Sequence, residues 1–115
     1  MTRMSTDRLR SVREYLLARR AELDDRVARV RRDLRRENAP LPAAFGDVAI
    51  AMENDEILAA VEQSACSELE HIRAALKRLD DGTFGLCASC ATEINDARLR
   101  VVPYATQCPA CAKGG

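Results

Sequence analysis

The chain has 115 residues, enough for one ordinary domain, and only 3% of them are aromatic, with no Trp, two Phe and two Tyr. That is too little bulk for a thick single core, and the abundance of Ala, Leu, Arg and Glu points to extended helices that bury a narrow seam. The formal net charge is +0, so the total gives no basis for nonspecific capture of nucleic acid.

The distribution of charge is more informative than its sum. Residues 1–37 hold twelve Arg and seven acids, a balance of +5, and residues 38–86 hold nine acids and three bases, a balance of −6. Residues 87–115 carry +1. Opposite charges on neighbouring segments fit two helices packed against each other. The run "RVRRDLRR" (Arg29 to Arg36) has a second reading as a nucleic-acid patch, although Glu53, Asp55, Glu56 and Glu62 are acids that could face it. No apolar run approaches the roughly 20 residues that span a bilayer. The opening "MTRMSTDRLRS" is charged and has no signal-type apolar core. A cytoplasmic protein is expected, and in that reducing setting five cysteines favour metal binding over structural disulfides.

In chain order, a first helix is expected over about 6–37. Leu9, Val12, Leu16, Leu23, Val27, Val30 and Leu34 recur at threes and fours, and Leu9, Leu16, Leu23 and Val30 are spaced by sevens. Ser5 or Thr6 can cap its start, Arg13 and Arg20 interrupt the seam, and Pro40 and Pro42 forbid continuation. A second helix is expected over about 51–79 on the stripe Leu58, Val61, Ala65, Leu69, Ile72, Leu76 and Leu79. "DDGTFG" ends it, with Gly82 suited to a left-handed turn. Each helix would be roughly 45 Å long at about 1.5 Å per residue. Similar length, complementary charge and one short connection argue for an antiparallel hairpin over residues 1–83, with its tip at about 38–50.

The last segment, residues 84–115, reads as a compact module. Cys87 and Cys90 form one C-x2-C pair, and Cys108 and Cys111 form another after seventeen intervening residues. This is the spacing of a four-cysteine zinc site. Each turn presents two thiolates to a tetrahedral ion, and four sulfur ligands leave no open position for catalysis. The module is too short for an apolar core, so one structural Zn2+ would supply its folding free energy. Two redox pairs or two disulfides are the alternatives, but no strand–helix context of the thioredoxin kind surrounds them. Cys66 and His71 lie on the second helix outside this pattern and read as packing or solvated residues. One His, no Gly-rich phosphate loop and no nucleophile–base pair argue against an enzyme. The fold class expected is therefore mainly α: a long antiparallel two-helix coiled coil followed by a small four-cysteine zinc finger.

The run "LKRLDDGTFGLCASCATEINDARLRVVPYATQCPAC" (Leu76 to Cys111) closely resembles the signature of the DksA/TraR family. The shared features are a helix ending in "DGTFG", both C-x2-C pairs, "ARL", and a Pro and Ala between them. "AMENDEILAA" (Ala51 to Ala60) also looks like the start of the second helix in short members. The resemblance implies a transcription regulator that binds bacterial RNA polymerase, inserts its hairpin through the secondary channel and needs no specific DNA sequence. The family's tip pattern, Asp-x-x-Asp-x-Ala, falls on Ala44-Phe45-Gly46-Asp47-Val48-Ala49, so Asp47 and Ala49 are the implied tip residues and Ala44 replaces the first acid. Positions that contact guanosine tetraphosphate in the family fall on His71, Val102 and Ala112, which implies that this nucleotide site is missing. Ala91 stands where a glycine usually follows the first pair, and would be strained if left-handed. The chain ends at Gly115 without the longer C-terminal helix of full-length members, which implies fewer polymerase contacts. A zinc-ribbon nucleic-acid-binding protein and a thiol redox sensor are the competing functions.

Overall fold

The computed structural model describes residues 5–37 and 40–114. Its helices are α1 (Thr6–Leu34), α2 (Phe45–Asp81), α3 (Asp96–Val101) and α4 (Pro109–Gly114). The described residues contain no strand; extended pairing is limited to one antiparallel bridge between Leu86 and Glu93. No helix among them is long and apolar enough to cross a membrane.

Ser5 starts α1 as expected of a cap. Its Oγ accepts from the Arg8 N–H at 3.1 Å, and its carbonyl accepts from Leu9 at 3.0 Å. The helix stops at Leu34 rather than near residue 37. There the Arg36 N–H donates to the Asp33 carbonyl at 3.0 Å and Glu37 to Arg32 at 3.3 Å. That is the bond pattern of a Schellman turn, and Arg36 takes the left-handed conformation it requires, with φ 60. The last carbonyls are thus satisfied before the prolines are reached.

The second helix begins six residues earlier than the sequence suggested, at Phe45 instead of 51, and ends at Asp81 instead of 79. Gly46 disfavours a helix, yet its cost there is only about 1 kcal/mol. It lies in the first turn, whose N–H groups need no intrahelical partner. Val48 donates to the Ala44 carbonyl at 3.0 Å to close that turn, and Asp47 adds a carboxylate where the helix dipole favours one. The expected tip of 38–50 therefore shrinks to a connection over 35–44, of which Asn38 and Ala39 lie outside the described residues. At the far end of α2, Gly82 has φ 77 and Thr83 donates to the Arg78 carbonyl at 2.9 Å, a second Schellman turn, this one built on the expected glycine.

Contacts group the chain into two compact units: Ala18–Glu70, and the segment up to Leu17 together with His71 onward. The change in sequence character at residues 83 and 84 thus falls inside one unit. In the Ala18–Glu70 unit, Arg19 pairs with Glu68 at 2.7 Å, Arg31 with Glu62 and Arg36 with Asp55. Partners descend along α2 as they ascend along α1, so the helices are antiparallel. Leu23, Val27, Val30 and Ala65 are buried between the polar flanks. Val61 is 36% exposed, and Glu62 takes the half-buried position expected of it. A strict 4–3 spacing from Leu58 through Glu62 and Ala65 to Leu69 explains the exchange, because Arg31 supplies a counter-charge there. Burying a Leu side chain is worth about 1.5–3 kcal/mol, whereas a partly exposed ion pair contributes about 0–1 kcal/mol. The apolar seam stabilises the pairing, and the charges select its register.

In the other unit, Leu16 of α1 and Ile72, Ala75 and Leu76 of α2 are buried. Arg13 bridges to Asp80 at 2.9 Å. The cysteine segment has its own small core of Cys87, Ile94, Leu99 and Ala105, with Cys108 and Cys111 packed against it.

Candidate metal centre and hairpin connection

The first cysteine pair sits on a tight knuckle. Cys87 donates its N–H to Thr92 O at 2.8 Å, Ile94 donates to Gly85 O at 2.7 Å, and Ala91 donates to Cys87 O at 2.8 Å. These bonds fold the chain back so that Cys87 and Cys90 present their sulfurs together. The reversal is completed by Ala91 at φ 65, the left-handed geometry anticipated from the missing glycine. A residue with a Cβ is strained there by about 1–2 kcal/mol. The second pair rides on the start of α4. Pro109 occupies the first helical position, where its fixed φ is favourable. Ala112 donates to Cys108 O at 2.9 Å, so Cys108 and Cys111 stand one turn apart. Ala88 ties the two halves together by donating to Thr106 O at 2.7 Å.

The four sulfur atoms all lie within 4.8 Å of one another, and Cys90 Sγ is 3.8 Å from Cys108 Sγ. A tetrahedral zinc with bonds of about 2.3 Å needs sulfurs about 3.8 Å apart. The cluster therefore fits one zinc ion with little adjustment. Its donors are all sulfur, so the ion would be fully coordinated and would hold structure rather than activate water.

The surroundings favour thiolates at the first pair. Backbone N–H groups, foremost at Cys108 and then at Cys90 and Ser89, bring the Cys87 thiol down to about 6. The Thr92 hydroxyl, 2.9 Å from the Cys90 sulfur, lowers Cys90 as well. Hydrogen bonding to Cys108 and the other cysteines pushes Cys111 up to about 12. Negative charge in the metal-free cluster thus concentrates on Cys87 and Cys90, and Cys111 keeps its proton until a cation arrives.

Other polar contacts fix the module's loops. Asn95 caps α3, its Oδ1 accepting from Ala97 N–H at 2.7 Å. Gln107 Nε2 donates to Ser89 Oγ at 2.9 Å, and Arg98 Nε donates to the Gln107 carbonyl at 3.2 Å. The sequence reading missed Asn95 although "INDARL" contains the cap signal, Asn ahead of a helix with an acid in its first turn.

Asp47 and Ala49 lie in the other unit, exposed in the opening turns of α2. Phe45 beside them is 90% exposed. Ala44 occupies the capping position and has no side-chain oxygen to offer. Cys66 is half-buried in the same unit, with its sulfur 4.0 Å from the Arg31 guanidinium. His71 belongs to the cysteine-bearing unit, where it stacks on Tyr104 with ring centres 5.9 Å apart and planes at 6°. Val102 and Ala112 are exposed and uncharged.

Comparison with known proteins agrees with this architecture. Residues 12–79 match the DnaK suppressor protein-like N-terminal domain, and residues 82–114 match the prokaryotic dksA/traR C4-type zinc finger. An uncharacterised protein of Aquifex aeolicus (strain VF5) is 26% identical over 112 residues, which cover 96% of this chain and 77% of the relative. Among solved structures, transcription factor DksA2 from Pseudomonas aeruginosa superposes with a TM-score of 0.79 at 27% identity, over 95% of this chain and 83% of that one. With both its helical part and its cysteine module matched, the chain belongs to the DksA/TraR family of C4 zinc-finger proteins.

Proposed function

We propose that this protein is a cytoplasmic, non-enzymatic regulator of transcription initiation that binds bacterial RNA polymerase. In this reading the α1–α2 connection and the start of α2 enter the secondary channel, and the four cysteines hold one structural zinc. The observation that carries the reading is Asp47, an exposed carboxylate in the first turn of α2. It stands at the second acid of the family's tip pattern, in a chain with the fold of a DksA-family transcription factor. Ala49 supplies the pattern's small residue. An exposed acid on a rigid helix, rather than on a loose loop, can reach a polymerase centre in a defined orientation.

Guanosine tetraphosphate has no part in the proposal. A polyphosphate requires several strong donors, and Val102 and Ala112 supply none. Nucleic-acid binding gains no support from the arginine run. Arg29 pairs with Asp25 at 3.2 Å, Arg31 with Glu62, Arg35 with Glu37 at 3.4 Å and Arg36 with Asp55. Acids are already placed on most of the cations that a phosphate backbone would need.

The test is binding of the zinc-loaded protein to core RNA polymerase, followed by promoter-complex lifetimes with wild type and Asp47→Asn. The substitution should leave the complex assembled and remove most of the effect on lifetime. Equal effects from both proteins would refute the tip assignment, and absence of a complex would refute the partner.

A further inference from the structure

Neither the zinc nor the connection accounts for a pocket in the cysteine-bearing unit. It has a volume of about 310 Å³, with Val12, Tyr15, Leu99 and Pro103 in its walls and Arg8 and Arg100 at its polar side. This is at the lower edge of the roughly 300–1,000 Å³ typical of small-molecule sites. Both guanidiniums hold the same carboxylate. Arg8 donates to Asp96 Oδ1 at 3.3 Å, and Arg100 donates to Asp96 Oδ2 at 2.7 Å. Two cations therefore share one anion beside an apolar wall. The Nε of Arg8 is also buried and finds no acceptor among the described residues, an unfavourable state for a charged donor. Tyr15, 53% exposed, contributes an aromatic face at the pocket.

We infer that this pocket binds a small organic carboxylate, with the carboxylate held by Arg8 and Arg100 and an aryl or branched apolar body against Val12, Tyr15, Leu99 and Pro103. Asp96 shows the geometry in advance, since its two oxygens already bridge the two arginines. An incoming carboxylate competes with Asp96 for them or uses the donor on Arg8 that Asp96 leaves open. A neutral apolar molecule would leave that donor unsatisfied, and a bare anion would leave the walls wet. Both arginine side chains are partly exposed, at 37% and 71%, so screening keeps the affinity weak, about millimolar. The inference is independent of polymerase binding, because none of these residues belongs to the connection.

The experiment is methyl NMR of Val12 and Leu99 in the zinc-loaded full chain, titrated with phenylacetate. Acetate tests the anion alone, and benzyl alcohol tests the body alone. Phenylacetate should give saturable shifts at both methyls and bind about tenfold more tightly than either control. Arg8→Gln and Arg100→Gln should each weaken binding about fivefold, and Asp96→Asn should tighten it about fivefold by releasing both guanidiniums. Zinc content and far-UV circular dichroism verify each variant. Arg100→Gln, on the more exposed side chain, carries the same prediction if Arg8→Gln disturbs folding. Acetate or benzyl alcohol matching phenylacetate, no saturable shift, or weaker binding by Asp96→Asn would each overturn the inference.

Discussion

The cysteine knuckle and the end of α1 reverse the chain by the same backbone device, yet they hold it in different ways. Each places a residue with a side chain in the left-handed region, Ala91 at φ 65 and Arg36 at φ 60. In the knuckle, the neighbouring Cys87 and Cys90 belong to a sulfur cluster that one metal ion can lock. At the end of α1, backbone bonds from Arg35, Arg36 and Glu37 and the Arg36–Asp55 pair oppose the strain among the described residues. Strained backbone persists where its surroundings over-determine it. Coordination of one ion would over-determine the knuckle, whereas the helix end is held by weak, partly exposed contacts.

The sharpest way to break this comparison is to remove the metal. Chelation, or Cys87→Ser with Cys108→Ser, should abolish about 10–16 kcal/mol of apparent binding free energy. The dispersed NMR signals of Ile94 and Leu99 should collapse while far-UV helicity from the seam of Leu23, Val27 and Val30 largely survives. Survival of the module without metal would mean that its small core suffices. The linkage to pH has a definite sign. Zinc needs thiolates, and Cys111, held up at about 12, must lose its proton on binding. Affinity therefore falls as pH falls, and more steeply once Cys87 also protonates below about 6. Competition against a chromophoric chelator across that range measures it.

The next effect belongs to the start of α2. Ala44→Asp places an acceptor at the capping position and should stabilise the protein by about 1 kcal/mol, read as a rise in melting temperature of about 4 °C. Under the proposed function, the same change supplies the acid that Ala44 replaces in the tip pattern. A purely structural gain would leave promoter-complex lifetimes untouched, so the two assays separate the roles.

The remaining pair probes the strain directly. Ala91→Gly should relieve about 1 kcal/mol and tighten zinc binding roughly fivefold. Arg36→Gly relieves similar strain but forfeits the pair with Asp55, so its net effect on thermal stability should be about zero. If Arg36→Gly stabilises as much as Ala91→Gly, the ion pair contributes nothing and the comparison must be redrawn.

Much of the architecture was legible because its signals are local or periodic. The C-x2-C turns, the spacing of Leu16, Leu23 and Val30, and Gly82 past a helix end each report chemistry within a few residues. The boundary at Phe45 was misjudged for a related reason. Gly46 is a strong local breaker, and nothing nearby announced that the first turn of a long, well-packed helix could absorb it. Glu62 in the seam was equally hidden, since an acid is tolerated there only because Arg31, 31 residues away, faces it.

The sequence by itself determined that the chain forms two long helices and a four-thiolate module, since periodicity and ligand spacing specify these without reference to distant residues. Tertiary structure alone decided which charges meet: Arg36 with Asp55, Arg13 with Asp80, and Arg8 and Arg100 on a single Asp96. It also stacked His71 on Tyr104 and enclosed the pocket beside Tyr15. The physical reason is range. Helix formation and cysteine turns depend on neighbours along the chain, whereas ion pairs and cavities depend on which surfaces the apolar seam and the cysteine module bring together.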